Sequence, residues 1–318
     1  MRVLLTGAAG FIGSNLTDRL LAGGHFVRGF DDFSSGRPEF LYIAKMSSSF
    51  EFFSGNLLDQ SRLELAMRGV DIVFHFAANA DVRNGPNTPR KDLDQNTIGT
   101  ANVLEAMRAC GVTRIAFAST GSVYGEAKVL PTPENAPFPV QTSLYGASKI
   151  AAEGLITAYS EAFGIRSWIF RFVSILGERY THGHVLDFYR QLIAHPGELH
   201  VLGNGLQRKS YLYVQDCIDA ILLALGKATE MVNILNLGTN EHCTVNESIQ
   251  WISEYMGLRP LIIYSGGDRG WIGDNPFIFL DCSAIRMLGW EPRLTIRQSV
   301  LRTIDFLSSH PIALEARG

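Results

Sequence analysis

Thr6-Gly7-Ala8-Ala9-Gly10-Phe11-Ile12-Gly13 follows a short apolar run, Arg2–Thr6, and opens a helical pattern over Ile12–Leu21. Glycines let a backbone approach a pyrophosphate closely, and a helix N-terminus presents free N–H groups at the positive end of its dipole. A glycine-rich turn in isolation says little. Between a strand and a helix it reads as a dinucleotide-binding turn, with Gly7, Gly10, Phe11, Ile12 and Gly13 as candidate cofactor contacts.

A second signal lies roughly 20 residues on, at the end of the next apolar run. Asp31 and Asp32 stand where a carboxylate accepts hydrogen bonds from the adenosine ribose. A carboxylate repels a 2′-phosphate, so NAD is favoured over NADP. The nearby Arg37 works slightly against that exclusion.

Outward from this turn, short apolar runs alternate with helical patterns. The expected strands are Arg2–Thr6, Phe26–Phe30, Phe50–Ser54, Ile72–Phe76, Ile115–Ala118 and Ser167–Arg171; helices are expected at Ile12–Leu21, Ser61–Met67, Asn96–Ala109 and Leu144–Phe163. Such alternation predicts an α/β protein with a doubly wound parallel sheet of the Rossmann type. The runs are almost continuously apolar, as they are when both faces of a sheet are covered. Pro131, Pro133, Pro137 and Pro139 make Val129–Pro139 a loop. Beyond residue 172 the alternation loosens into Gly-, Pro- and polar-rich clusters. This predicts a nucleotide-binding domain over 1–172 and a smaller C-terminal substrate-binding α/β lobe over 173–318, with some chain returning to the first domain. The tail after Ser308 is expected to fray.

Composition bounds the rest. The 318 residues are 46% hydrophobic and 19% charged, ordinary for a globular protein with a sizeable core. A net charge of −3 supplies no broad positive field, so nucleic acid is an unexpected partner. No apolar run approaches membrane-spanning length, and the N-terminus enters a strand without a signal-peptide pattern. Cys110, Cys217, Cys243 and Cys282 are too widely spaced for a metal or redox pair, so the expectation is a reduced, cytoplasmic protein.

Tyr145-Gly-Ala-Ser-Lys149 places a phenol and an ammonium one helical turn apart on one face. A close, partly desolvated cation favours a phenolate, and a drop of roughly three units from about 10 would make Tyr145 a general base at neutral pH. Ser119-Thr120-Gly121-Ser122-Val123-Tyr124-Gly125 ends the fifth expected strand, and such strand ends border the ligand crevice of an open α/β sheet.

The Gly-x-x-Gly-x-x-Gly turn with Tyr-x-x-x-Lys downstream resembles the extended short-chain dehydrogenase/reductase family, within it the NAD-dependent nucleotide-sugar epimerases and dehydratases. Asp31-Asp32-Phe33-Ser34-Ser35-Gly36 and Val73-Phe74-His75-Phe76-Ala77-Ala78-Asn79-Ala80 carry the likeness further. The resemblance implies that Phe76, Ala77 and Ala78 run along the cofactor and that Asn96 lies behind the nicotinamide. It implies that Asn56 and Leu57 contact the adenine, although the family usually has aspartate at Asn56. It makes Thr120, Tyr145 and Lys149 the catalytic set, with Tyr145 and Lys149 also touching a tightly bound NAD.

Family dehydratases carry Asp-Glu after the position of Thr120, and decarboxylases keep the glutamate; this chain has Gly121-Ser122. Neither can act as acid or base at neutral pH. The cysteine of the family's reductase–epimerases is missing from this segment too. What remains is oxidation and re-reduction at one carbon, a 4-epimerisation.

For the substrate, the resemblance points to Thr120, Ser174, Arg208, Lys209 and Arg269. Ser174 replaces the family's diphosphate-binding asparagine, and Lys209 stands where a phosphate-binding arginine is usual, with Arg208 able to share the role. Arg269-Gly-Trp271-Ile-Gly-Asp274 offers a further cation. These segments look most like the family's UDP-hexose 4-epimerases, implying UDP-glucose and UDP-galactose as substrates; Ile278 mildly favours these over N-acetylated sugars. The alternatives are a 4-epimerase of UDP-glucuronate or a UDP-N-acetylhexosamine, a net dehydrogenase, or a non-catalytic NAD-binding regulator. The resemblance also implies a homodimer through the helices at Asn96–Ala109 and Leu144–Phe163. Thr181-His182-Gly183-His184 lacks a third ligand, so no metal is expected.

Overall fold

The computed structural model describes residues 1–83, 85–138, 140–271, 274–275 and 277–310. Pro139 of the expected loop, Ile272 and Gly273 of the expected substrate segment, and the tail beyond His310 lie outside the described residues.

Six strands of the first half and one from the second form a seven-stranded sheet. In chain order these are β1 (Arg2–Thr6), β2 (Phe26–Asp31), β3 (Phe50–Ser54), β4 (Ile72–His75), β5 (Arg114–Thr120) and β6 (Arg166–Phe172). Short strands β7 (Ser174–Leu176), β8 (Glu198–Val201), β9 (Arg208–Lys209) and β10 (Tyr211–Tyr213) follow. The chain then returns to the large sheet as β11 (Val232–Leu237) before β12 (Cys243–Thr244) and β13 (Leu261–Tyr264). The order β11-β6-β5-β4-β1-β2-β3 is parallel throughout. Its central strands are buried on both faces, which is why they read as unbroken apolar runs.

Helices cover both faces. On one lie α1 (Phe11–Ala22) and, later in the chain, α8 (Val214–Lys227); their Leu16, Leu20, Ile218 and Ile221 share one core. On the other lie α3 (Gln60–Met67), α5 (Gly99–Cys110) and α6 (Leu144–Phe163), which bury Leu63, Leu104 and Ile156 in a second core. The short α2 (Tyr42–Lys45) and α4 (Pro89–Asp92) lie between. A π turn, Leu93–Ile98, leads from α4 into α5. The helix expected from Asn96 therefore starts earlier and is wound wider there, bringing Asn96 to the interior.

Helix α6 shows how local sequence sets an element. The Ser143 hydroxyl accepts the Gly146 N–H at 3.0 Å as an N-cap, and Gly164, with φ 66°, closes the C-terminus. The rest of the chain builds a smaller lobe from α7 (His184–Ala194), α9 (Val245–Met256), α10 (Ser283–Met287), α11 (Ile296–Ser309) and three two-stranded sheets, β10-β7, β12-β9 and β13-β8. Among the described residues no helix is long and apolar enough to cross a membrane.

Candidate active site

The glycine turn is fixed by what lies against it. Gly7 has φ 74°, its N–H donates to the Phe30 carbonyl at 2.8 Å, and a Cβ there would fall 2.6 Å from the Ala77 nitrogen. Only glycine brings β1 this close to the segment after β4. Gly10 caps α1, and a Cβ on Gly13 would collide with the Gly7 carbonyl. Phe11 is buried and Ile12 partly so on the first turn of the helix.

Asp31 lies under this turn. Its carboxylate accepts the Ala9 N–H at 2.9 Å and the Phe33 N–H at 2.8 Å, so it braces the loop. Asp32 accepts the Asn56 amide at 2.7 Å and the Ser34 N–H at 2.9 Å. The ends of β2 and β3 are thereby joined by two of the residues expected to meet the adenosine. Leu57 is buried next to Asn56, its carbonyl held by Asn102 at 2.9 Å. On the opposite side Phe76 and Ala77 donate their N–H groups to the Thr6 hydroxyl at 3.2 and 3.3 Å, and Ala78 follows them. Strand ends, a cradle without side chains, a helix N-terminus and a carboxylate at β2 together fit a dinucleotide.

Asn96, fully interior, ties this wall to α6. Its amide oxygen accepts the Asn79 N–H at 2.8 Å, and its nitrogen donates to the Ser148 hydroxyl at 2.9 Å. Ser148 in turn donates to the Tyr145 carbonyl at 2.8 Å. Asn79 and Ser148 were not singled out from sequence; an exposed-looking serine inside Tyr-x-x-x-Lys carries no signal of its own.

Thr120 ends β5 and caps the next turn, accepting the Ser122 N–H at 3.1 Å. Its hydroxyl meets the Ser122 hydroxyl at 3.2 Å and lies close enough to the Tyr145 phenol to favour its ionised form. Part of Tyr145 reaches solvent, yet the phenol lies deep. Burial pushes it up to about 12, the Thr120 hydroxyl pulls it back somewhat, and the Asp92 charge adds to the rise.

Lys149, 2% exposed, has its ammonium 4.1 Å from the centre of the Phe117 ring. Burial draws it down to about 7 against the favourable charge of Glu153. The spacing had predicted a lowered phenol; in the folded chain it is raised. Burial dominates, and the charge that acts on the phenol is the Asp92 carboxylate rather than the Lys149 ammonium, which lies over Phe117.

The expected substrate cations do not all converge. The Lys209 ammonium bonds the Asp274 carboxylate at 2.9 Å and the Asn275 carbonyl at 2.8 Å. Arg269 pairs with Glu126 at 2.6 Å and donates to the Asp274 carbonyl at 3.3 Å. Arg208 lies apart, its guanidinium 4.0 Å over the Phe277 ring. Ser174 is exposed at the start of β7. His184 is held by Ser248 at 2.8 Å and Tyr211 at 3.0 Å, and burial lowers it to about 3. Among the described residues no three His, Cys, Asp or Glu side chains gather as a metal site. Ile278 lies with Gly121, Tyr124 and Phe277 around a narrow crease. A Cβ on Gly121 would lie 2.6 Å from Ile278 Cγ2, so Gly121 is required here by packing.

A doubly wound sheet with a glycine cradle, an acidic residue after β2 and a Thr–Tyr–Lys set at the strand ends defines a dinucleotide-dependent enzyme of the short-chain dehydrogenase/reductase type. The chain belongs to the NAD dependent epimerase/dehydratase family, whose model matches residues 3–238. It is 33% identical over 312 residues to a UDP-glucose 4-epimerase of Mycolicibacterium smegmatis, covering 96% of this chain and 98% of that protein. A crystal structure of a UDP-galactose 4-epimerase superposes with a TM-score of 0.88 at 37% identity, over 98% of this chain and 99% of that one. The UDP-glucose 4-epimerase of Thermotoga maritima, solved with UDP-glucose, gives a TM-score of 0.87 at 29% identity, over 98% of this chain and 100% of that one.

Proposed function

We propose that this protein is an NAD-dependent 4-epimerase that interconverts UDP-glucose and UDP-galactose. The observation that carries the reading is Thr120 at the end of β5 beside the Tyr145 phenol, with Lys149 one turn along α6 and no carboxylate at Gly121 or Ser122. The family and the epimerases this chain resembles along nearly its whole length support it.

The residues that would hold NAD are Gly7, Gly10, Phe11, Ile12 and Gly13 at the pyrophosphate, Asp31 and Asp32 at the ribose, and Asn56 and Leu57 at the adenine. Phe76, Ala77, Ala78 and Asn96 form the wall along it. NAD, when bound, accepts a hydride from the sugar C4 and gives it back. Tyr145 takes the proton of the C4 hydroxyl and returns it, and Thr120, beside the phenol, orients that hydroxyl. Lys149 steadies the charge on the phenolate and holds the nicotinamide ribose. The sugar turns over as the 4-ketone, so it is re-reduced on its other face; cofactor is regenerated each cycle and stays bound.

In this reading Lys209 and Arg269, both bonded to Asp274, meet the diphosphate, and Arg208, over the Phe277 ring, stands apart from them. The second lobe, beginning near residue 173, closes over the nucleotide. A homodimer through α5 and α6 is part of the proposal, supported by the exposed Ile98, at the end of the π turn that leads into α5, and Phe163 on α6. The four cysteines are unpaired, which fits the reducing cytoplasm.

Incubating the purified protein with UDP-glucose and resolving UDP-galactose among the products tests the reading. UDP-glucuronate and the UDP-N-acetylhexosamines in parallel test the other substrates. Stoichiometric reduction of added NAD without sugar interconversion would instead mark a net dehydrogenase.

A further inference from the structure

The wall after β4 carries an amide whose orientation is forced. Asn79 follows Phe76, Ala77 and Ala78, and its side-chain Nδ2 donates to Asp92 Oδ1 at 2.8 Å. Asp92, at the end of α4, is 1% exposed, and the Asn96 amide nitrogen approaches the same oxygen at 3.4 Å. A carboxylate only accepts hydrogen bonds, so the NH2 end of Asn79 must be the end that faces it. The backbone is held as firmly. The Asn79 N–H donates to Asn96 Oδ1 at 2.8 Å, and its carbonyl accepts from Asn96 Nδ2 at 3.2 Å. Every polar atom of Asn79 thus has a partner except the side-chain oxygen. That oxygen meets no donor among the described residues and is not enclosed by them, since the residue is half-buried and its oxygen reaches solvent.

The place of this oxygen decides what it meets. In the sheet, β2 and β3 lie on one side of β1, with Asp31, Asp32 and Asn56 at the adenosine end; β4 and β5 lie on the other. Asn79 is on the second side. Asn96 links it there to the catalytic helix, donating to the Ser148 hydroxyl at 2.9 Å, which donates in turn to the Tyr145 carbonyl at 2.8 Å. Two residues before Asn79, Ala77 packs on the glycine turn, where a Cβ on Gly7 would fall 2.6 Å from its nitrogen. The open oxygen therefore belongs to the wall between the glycine cradle and the Tyr145 turn, along the half of a dinucleotide that carries the nicotinamide. That half offers two kinds of donor, the carboxamide NH2 and the ribose hydroxyls. The other Asp92 oxygen is buried with no donor among the described residues, and burying it costs free energy. A carboxylate kept there at that cost leaves the Asn79 amide a single orientation.

We propose that Asn79 is a cofactor-binding residue whose side-chain oxygen accepts a hydrogen bond from the nicotinamide half of NAD, and that the buried Asp92 is the positioning residue that turns this oxygen towards it. Asp92 touches no ligand itself and acts through the amide it holds. The inference rests on NAD as the cofactor and holds whichever nucleotide sugar is the substrate.

The test is the rate at which the holoenzyme, loaded with adenine-labelled NAD, releases it into an excess of unlabelled NAD. Asn79→Ala removes the acceptor and should speed release roughly three- to tenfold, the range of one hydrogen bond. Asp92→Asn frees the Asn79 amide to turn either way and should speed release less. Because Asp92 works through Asn79, the two changes together should release NAD no faster than Asn79→Ala alone, whereas a merely structural carboxylate would give additive effects. If Asn79→Ala strands the Asp92 charge and fails to fold, Asn79→Ala/Asp92→Asn takes its place and should release NAD faster than Asp92→Asn. The acetylpyridine analogue of NAD, which lacks the carboxamide NH2, separates the two donors. An acceleration that disappears with the analogue assigns the carboxamide, and one that persists assigns the ribose. Unchanged NAD release in the variants that fold overturns the proposal. So does a raised KM for UDP-glucose with NAD release unmoved, which would put the oxygen on the sugar, and additive effects overturn the role of Asp92. Release needs no turnover, so a protein without epimerase activity that shows the acceleration refutes the proposed function and leaves this contact standing.

Discussion

The ammonium of Lys209 and the carboxylate of Asp274 meet at 2.9 Å, although 65 residues separate them in the chain. Asp274 is 4% exposed and also accepts the Gly270 N–H at 3.0 Å, so the pair ties β9 to the loop that carries Arg269. A nucleotide diphosphate reaching Lys209 would share it with that carboxylate. Removing the cation in Lys209→Met should raise KM for UDP-glucose by about tenfold to a hundredfold, the range of one charge-assisted hydrogen bond. The effect on kcat should be smaller. Steady-state kinetics decide it, and an unchanged KM would move the diphosphate to Arg208 or Arg269.

Tyr145→Phe removes the phenol oxygen and leaves the ring and helix in place. Loss of general acid–base chemistry should lower kcat by about 10²- to 10⁴-fold. Circular dichroism and the amount of NAD released on denaturation should match the parent protein. Biological activity unaffected by this change would favour a non-catalytic regulator.

Gly7→Ala puts a Cβ at φ 74° and 2.6 Å from the Ala77 nitrogen. Backbone must shift to admit it, and the shift opens the cradle. The variant should purify with little or no NAD and unfold at a lower temperature. Full NAD content would show that the cofactor does not lie against Gly7.

His75 hydrogen-bonds Thr6 at 2.8 Å and Thr100 at 3.0 Å, and burial, with the Lys149 charge, holds it down at about 3. Unfolded, it titrates at its ordinary value of 6.5. Below that value the unfolded chain binds a proton that the folded chain refuses, so stability falls as the pH drops from 6.5 towards 3. Above 6.5 the group contributes no pH dependence. His184, lowered in the same way, adds to the slope. Urea unfolding at a series of pH values should show this loss, and His75→Gln should flatten it in part. An identical slope in the variant would show that His75 is not held neutral.

Local pattern carried most of the architecture. The strands from Arg2 to Arg171 lie within a residue or two of where apolar runs place them, because a strand buried on both faces has no polar alternation to confuse with anything else. The π turn at Leu93–Ile98 was not legible. Its wider winding is set by Asn96 reaching Asn79 and Ser148, partners 17 and 52 residues away. A return of the chain to the first domain was expected, but not that Val232–Leu237 makes it as a strand beside β6, since one strand among loops has no neighbouring helix pattern to announce it.

By itself the sequence determined the doubly wound sheet, the glycine cradle and the one-turn spacing of Tyr145 and Lys149. Each of these depends on spacing within one element or on the order of neighbouring elements. Tertiary structure alone decided the electrical state of that pair. The raised Tyr145 and the lowered Lys149 follow from how completely other segments exclude water. Spacing along a helix sets two groups one turn apart, but desolvation and charges such as the Asp92 and Glu153 carboxylates fix how each one ionises.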